Sequence, residues 1–219
     1  MNTRKRIISV LVATAVGLSA LAIGQLAANT APNNGSHTDP SGLTVIYGPT
    51  TIPDGLTDAW AAAYSVAQNK PDDFGYPAVQ GDAVFLPPVS AAAIALSNTD
   101  PQVASQQLQE YARTLWKDGT TAFEPSIDVI ALINLSAPPG KPYKLSATQI
   151  DQLINDIFDA RDDPSLKKGG IYQTSLDASG RILVTLRKLT PAVASSLVEK
   201  YGADNIVIRI DPNFHSGPV

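Results

Sequence analysis

The strongest constraint on the fold is a strand–helix–strand pattern near the C-terminus, over residues 181–211. This stretch begins with the apolar run RILVTL and ends with NIVIRI, whose isoleucines alternate as in a strand. Between the two runs, Thr190 and Pro191 have the residue types of a helix N-cap and first helical position, and Gly202 is suited to end the helix. Two strands joined by one helix pack as a parallel pair. The pattern therefore predicts an α/β domain.

The residues before this stretch extend the pattern. Ser146 and Gln149 have the spacing of a capping box, and an apolar stripe with helical spacing follows them. Two strand-like runs then meet at the turn sequence DASG, residues 177–180, where the glycine suits a positive φ. Residues 145–212 are therefore predicted to fold as one αββαβ-like unit.

The first half repeats the same order of elements over residues 55–137. A helix is predicted over 57–69, a short hairpin around 80–82, a helix that begins at Pro101, and a buried strand within the β-branched run 126–136. The fold class is thus α/β (α+β), with two αββαβ-like units whose helices pack on one face of small mixed sheets. An internal duplication is a hypothesis that the thin identity between the halves leaves open.

The N-terminus has the composition of an export signal. Three basic residues in MNTRKR precede an uncharged apolar run over 7–24. Residues 1–28 are read as a signal peptide or, alternatively, as an uncleaved membrane anchor. Residues 29–54 are predicted to be a flexible linker and 213–219 a tail. The chain is therefore expected to be secreted or anchored on the outer face of the cytoplasmic membrane.

Charge and cysteine content narrow the function. The chain has no cysteine, which excludes thiol catalysis and cysteine metal sites. Without the first six residues, 13 basic residues face 20 acidic ones, a formal net charge of −7. Such a domain is not suited to nucleic acid or to anionic membrane surfaces, so membrane contact is expected only through the N-terminal segment. No cofactor is predicted.

Histidine catalysis has little support in the sequence. His37 lies in the predicted linker and His215 in the tail, so no rigid element positions either side chain as a base. The motifs G-x-S-x-G, H-E-x-x-H and the nucleotide-binding fingerprints are absent. Asp72 and Asp73 are interpreted as turn residues. No catalytic residue is predicted, and a pair of distant carboxylates acting as a hydrolase remains the alternative.

An acidic cluster follows the helix of the second half. Its members are Asp156, Asp159, Asp162 and Asp163. Oxygen ligands of this kind bind Ca²⁺, but the spacing differs from that of an EF-hand loop. Arg161, Lys167 and Lys168 are close enough in sequence to balance the charge. A solvated helix end is therefore preferred to a metal site, and no metal ligand is predicted.

Four aromatic residues lie at helical spacing within the first half: Trp60, Tyr64, Tyr111 and Trp116. Such residues form a ligand platform in some proteins and part of the core in many others. The apolar positions around them have the same helical period, so we predict that they belong to the core.

The C-terminal stretch GGIYQTSLDASGRILVTLRKLTPAVASSLVEKYGADNIVIRID, residues 169–211, resembles the C-terminal half of prosegments of secreted alpha-lytic-type serine proteases. It also resembles related stand-alone domains of exported actinobacterial proteins. The resemblance implies a domain that binds another protein, such as a protease or its folding intermediate, and it brings no catalytic residue to this chain. We therefore expect an exported, non-catalytic interaction module for a protein or cell-envelope partner. A carboxylate-based extracellular hydrolase and a tethered structural envelope protein are the alternatives.

Overall fold

The structure is a computed structural model that describes residues 36–47, 51–117, 124–140 and 144–212. The described residues belong to one compact unit. The predicted signal or anchor, the tail and His215 lie outside the described residues. Within the described ranges, no helix combines the length and the apolar character that crossing a membrane requires.

The described residues form six α-helices and eight strands. The helices are α1 (Thr57–Asn69), α2 (Ala91–Ser97), α3 (Pro101–Lys117), α4 (Ile127–Ile130), α5 (Ala147–Asp159) and α6 (Pro191–Tyr201). The strands are β1 (Ser36–Thr38), β2 (Thr44–Ile46), β3 (Ala78–Gln80), β4 (Ala83–Phe85), β5 (Ile133–Asn134), β6 (Ile171–Leu176), β7 (Ile182–Leu186) and β8 (Ile206–Ile210). Helices and mixed sheets together confirm the predicted α/β class.

The larger sheet has five strands in the order β1-β2-β8-β7-β6. The hairpin β6–β7 is antiparallel, and β8 returns parallel to β7 with Ile182 opposite Ile206. The predicted strand–helix–strand unit is thus present. Thr190 caps α6 through its side chain, and Gly202 follows the helix with φ +80, as the sequence predicted.

The smaller sheet has three strands in the order β3-β4-β5 and repeats this arrangement. The strands β3 and β4 form an antiparallel hairpin, and β5 lies parallel to β4. Both halves therefore place a hairpin beside a parallel third strand. Three helices, α2, α3 and α4, connect β4 to β5, whereas one helix was predicted there.

Two strands lie within the segment that was predicted to be a flexible linker, and this part of the prediction is wrong. The strand β2 pairs in parallel with β8, and Leu43 and Val45 are buried. Asp39 accepts hydrogen bonds from the backbone N–H groups of Ser41 and Leu43, which closes the turn between β1 and β2. The β-branched run Thr-Val-Ile carried the strand signal, and the polar residues before it obscured that signal.

The buried strand predicted over 126–136 is also corrected. Only Ile133–Asn134 is a strand, because Ser126 accepts a hydrogen bond from the N–H of Val129 and starts the short helix α4. The β-branched residues favoured a strand, but a side-chain cap of this kind stabilises the alternative.

The helices of the second half cover one face of the larger sheet. The Thr174 hydroxyl donates to the carbonyl of Ile154, which places α5 on that face, and Val184 lies beside Thr174 in the register. An ion pair of 3.2 Å from Lys200 to Asp163 joins the C-terminal end of α6 to the segment that follows α5. Residues on this face are fully buried: Ile182, Val184, Leu186, Ile206 and Ile208.

Backbone hydrogen bonds hold the two halves together. The N–H of Val79 donates to the carbonyl of Ala178 in the turn of the second hairpin, at 2.8 Å. The N–H of Ala147, at the start of α5, donates to the carbonyl of Phe74, also at 2.8 Å. These bonds fix α5 against the segment that follows α1, and a cleft lies at this junction.

Candidate functional site

A cleft of about 350 Å³ lies between the end of α1, the segment after it and the first three turns of α5. Its lining is polar and mostly uncharged: Gln68, Pro71, Tyr76, Thr148, Asp151, Gln152 and Asn155. This volume is at the lower end of the range for ligand pockets, so it suits one side chain or one small ring.

A tyrosine and a carboxylate form the centre of the cleft. The Tyr76 hydroxyl donates to the carboxylate of Asp151 and lies 2.9 Å from one oxygen and 3.0 Å from the other. Tyr76 is buried, whereas Asp151 is exposed on its outer side. The carboxylate therefore faces protein on one side and solvent on the other.

Local structure explains why these two groups meet. The predicted capping box is present, since Ser146 and Gln149 exchange side-chain-to-backbone hydrogen bonds and fix the start of α5. Asp151 follows one turn later. Gly75 allows the chain to approach closely, because a Cβ atom there would lie 2.7 Å from the carbonyl oxygen of Leu145. The next residue, Tyr76, is thereby held against α5.

A stack of three aromatic rings supports the tyrosine. The ring centroids of Trp60 and Tyr64 are 5.2 Å apart, and those of Tyr64 and Tyr76 are also 5.2 Å apart. Trp60 is buried, in agreement with its predicted place in the core, and Tyr64 is half-buried. Gln68 donates to the Tyr64 hydroxyl at 3.1 Å. The stack leaves the Tyr76 side chain little freedom to leave Asp151.

Burial dominates the electrostatics of the cleft. It raises the pKa of Tyr64 to about 12 and raises the pKa of Tyr76 further, and the negative charge of Asp151 adds to both effects. Burial also raises the pKa of the Asp151 carboxyl, which the hydrogen bond from Tyr76 opposes in part. Both tyrosines are therefore neutral hydrogen-bonding groups at neutral pH.

Asp151 has no cationic partner in the described part of the chain. The ion pairs of Arg113 with Glu124, Arg161 with Asp162 and Lys200 with Asp163 do not involve Asp151. The other groups that line the cleft are uncharged. The Asp151 carboxylate is therefore an accessible negative group at the rim of the cleft, without a counter-ion among the described residues.

The aspartate cluster predicted near the end of α5 is dispersed. Asp163 pairs with Lys200, and Asp162 lies 4.0 Å from Arg161. Among the described residues, no three metal-binding side chains come together. The charge is balanced by Arg161 and Lys200, and neither Lys167 nor Lys168 forms an ion pair with the cluster in this part of the chain.

Other residues singled out from the sequence have local roles. His37 lies on β1, where it is exposed and stacks on Tyr47 at 5.7 Å between ring centroids. Asp73 lies in the turn after α1, and it also accepts a hydrogen bond at 2.7 Å from the hydroxyl of the distant Ser90. Lys70 lies over the ring of Tyr111, 5.0 Å from its centroid. The side chain of Trp116 is outside the described part.

On the sheet face opposite α5, side chains form hydrogen bonds across the strands. Arg209 donates to Gln173 across the buried Thr185, and Arg181 donates to Thr44. The sheet edges differ from this face, because β6 and β1 pair on one side only among the described strands. These edges are the second surface that offers groups to a partner.

The cleft was missed in the sequence. Tyr76 and Asp151 lie 75 positions apart, and nothing local to either residue indicates the other. One signal was present on α5, where Thr148, Asp151, Gln152 and Asn155 form a polar stripe at helical spacing. Asp151 is the only charged residue in that stripe.

Comparison with known proteins adds no family to this description. The chain matches no protein-family model, no curated protein and no solved structure.

Proposed function

We propose that this chain is an exported, non-catalytic binding module that holds part of a protein or cell-envelope partner in the cleft beside Asp151. The signal peptide or membrane anchor predicted over residues 1–28 supports the location. The carrying observation is the accessible Asp151 carboxylate, which Tyr76 orients and which no cation of the described chain compensates.

The chemistry of the cleft favours binding over hydrolysis. Carboxylate-based glycoside hydrolysis uses two carboxyl groups about 5–10 Å apart, one on each side of the bond to be cleaved. Asp151 is the only carboxylate among the residues that line the cleft, and its neighbours there are amides, a hydroxyl, a phenol and a proline. Such groups orient a ligand through hydrogen bonds.

The open edges of the larger sheet extend this proposal. The edge strand β6 has six residues, and its backbone offers hydrogen bonds to an added strand. The similarity of residues 169–211 to protease prosegments supports a protein as the partner. The cleft then supplies selectivity and the edge supplies additional contact.

Site-specific photo-crosslinking of the full chain in the cells that produce it tests the proposal. A photoreactive amino acid replaces Gln152 on the cleft rim or, as the matched control, the exposed Gln106 on α3. We expect one adduct of defined mass from position 152 and none from position 106. The absence of an adduct from position 152, or equal adducts from both positions, would contradict a binding role for the cleft.

A further inference from the structure

The negative charge and the acceptor sites of Asp151 indicate which chemical groups a ligand of the cleft must carry. The carboxylate is exposed on its outer side, and both of its oxygens already accept from the Tyr76 hydroxyl. Among the described residues, Tyr76 is the only side chain that donates to this carboxylate, so its remaining lone pairs are available to a ligand. A ligand that fills this place must donate hydrogen bonds, and a positive charge adds Coulomb attraction.

We propose that the cleft receives one basic side chain of a protein partner, a guanidinium or ammonium group, with Asp151 as its counter-ion. This inference rests on the proposed binding function and names the ligand class. The amide oxygens of Gln68, Gln152 and Asn155 are available as further acceptors on the rim. A planar guanidinium has five donors and matches such a set.

The fixed geometry of the carboxylate supports this assignment. Tyr76 lies at the end of the aromatic stack and holds both oxygens of Asp151, so a ligand meets a group that is already oriented. Binding then costs less side-chain entropy than an exposed ion pair between two flexible side chains.

Two wider fields act on the cleft. The net charge of −7 after the first six residues attracts a basic partner over distance. The N-terminus of α5 has the opposite sign, but the capping box satisfies its N–H groups, and Asp151 lies beyond the first turn, where the helix dipole has largely faded. The Asp151 carboxylate therefore makes the electrostatic potential in the cleft negative.

Nuclear magnetic resonance titration of the full chain tests this inference with two probes of the same shape. N-acetylarginine amide carries the charge, and N-acetylcitrulline amide replaces the guanidinium by a neutral urea. We expect saturable shifts of the α5 amide signals around Asp151 with the arginine probe and at least about tenfold weaker binding of citrulline. Chito-oligosaccharide serves as a third, neutral probe.

Two variants connect the result to the carboxylate. Asp151→Asn keeps an acceptor for Tyr76 and removes the charge, so the affinity for arginine should fall about tenfold, to that of citrulline. Asp156→Asn removes one exposed charge elsewhere on the same helix and should leave the affinity unchanged. Equal binding of both amino-acid probes, no saturable shift with arginine, or shifts only with the oligosaccharide would each overturn the inference.

The two proposals fail in distinguishable ways. An adduct from position 152 that Asp151→Asn leaves undiminished would retain the binding function and reject the basic ligand. The absence of any adduct, with the arginine probe still bound in the cleft, would reject the partner while the charge preference of the cleft stands.

Discussion

The two hairpins of the molecule are built alike, and their turns lie in different surroundings. Gly81 follows β3 with φ +61, and nothing lies within 4 Å of the position its Cβ would occupy. Gly180 precedes β7 with φ +74, and its Cβ would lie 2.7 Å from the carbonyl oxygen of Tyr76. The turn at Gly81 has no neighbour at this position, whereas the turn at Gly180 packs against the backbone of Tyr76. A glycine with positive φ thus serves only the turn geometry in the first hairpin, and in the second it also allows close packing.

Substitution of the two glycines gives the largest test of this comparison. Gly180→Ala should destabilise the protein by about 3 kcal/mol, because the left-handed backbone and contact with backbone atoms both oppose a Cβ. Gly81→Ala should cost about 1 kcal/mol, from the backbone alone. Urea unfolding measures both free energies. Equal costs would show that the turn of the second hairpin does not depend on its neighbours.

The aspartates of the two turns sharpen the comparison. Asp177 is buried and accepts from the N–H and the hydroxyl of Ser179, whereas Asp82 is exposed with no hydrogen bond to another described residue. Asp177→Ala should therefore lower the unfolding free energy by about 1–2 kcal/mol. Asp82→Ala should change it by less than about 0.5 kcal/mol. A cost at position 82 that equals the one at 177 would remove the distinction between the turns.

Loss of the hydrogen bond from Tyr76 to Asp151 should lower the unfolding free energy by a smaller amount. Tyr76→Phe removes the hydrogen bond to Asp151 and keeps the ring in the stack, so we expect a loss of about 1 kcal/mol. Tyr111→Phe is the control, because its hydroxyl is only 3.5 Å from Gln107 at the surface. Thermal unfolding compares the two variants. If Tyr76→Phe is as stable as the wild type, the pair with Asp151 does not join the two halves.

The smallest change in unfolding free energy is expected for Asp151→Asn, and this variant should be more stable than the wild type, unlike the others. Burial raises the pKa of this carboxyl in the folded protein, so the folded state binds the proton more tightly than the unfolded chain. The ionised carboxylate therefore costs stability above that pKa. Asp151→Asn should raise the unfolding free energy at pH 7 by no more than about 0.5 kcal/mol.

The pH dependence provides the check on this sign. The advantage of Asp151→Asn should shrink as pH falls through the raised pKa and vanish below the ordinary value near 4, where the wild-type carboxyl is protonated. Asp156→Asn, at an exposed position of the same helix, is the matched control. Denaturant unfolding over a series of pH values measures the trend. A variant less stable than the wild type at pH 7 would show that the charge of Asp151 supports the fold.

Local chemistry explains which parts of the fold could be predicted. The capping box at Ser146, the Thr190–Pro191 helix start and the glycine of the second hairpin turn each satisfy nearby backbone groups. Their consequences are therefore visible within a few residues. The strand β8 is visible because its isoleucines recur at every second residue, and Ile206 and Ile208 are fully buried.

Long-range pairing explains the rest. The strand β2 is too short to carry a convincing pattern, and it is stabilised by β8 at the other end of the chain. Residues Ile127–Ile130 have the composition of a strand, but the side-chain cap at Ser126 starts a helix there. The cleft depends on the approach of Tyr76 to Asp151, which is a property of packing between the halves. None of these outcomes is encoded in a single window of sequence.

The position of β8 between β2 and β7 has a consequence for the order of folding. Thr44 and Val207 are paired, although they lie about 160 residues apart. The larger sheet therefore cannot close before the last strand has been synthesised, and closing so long a loop slows the final step. A chain translocated with its N-terminus first would remain incompletely folded during transit, and the sheet would assemble only after the C-terminal strand had emerged.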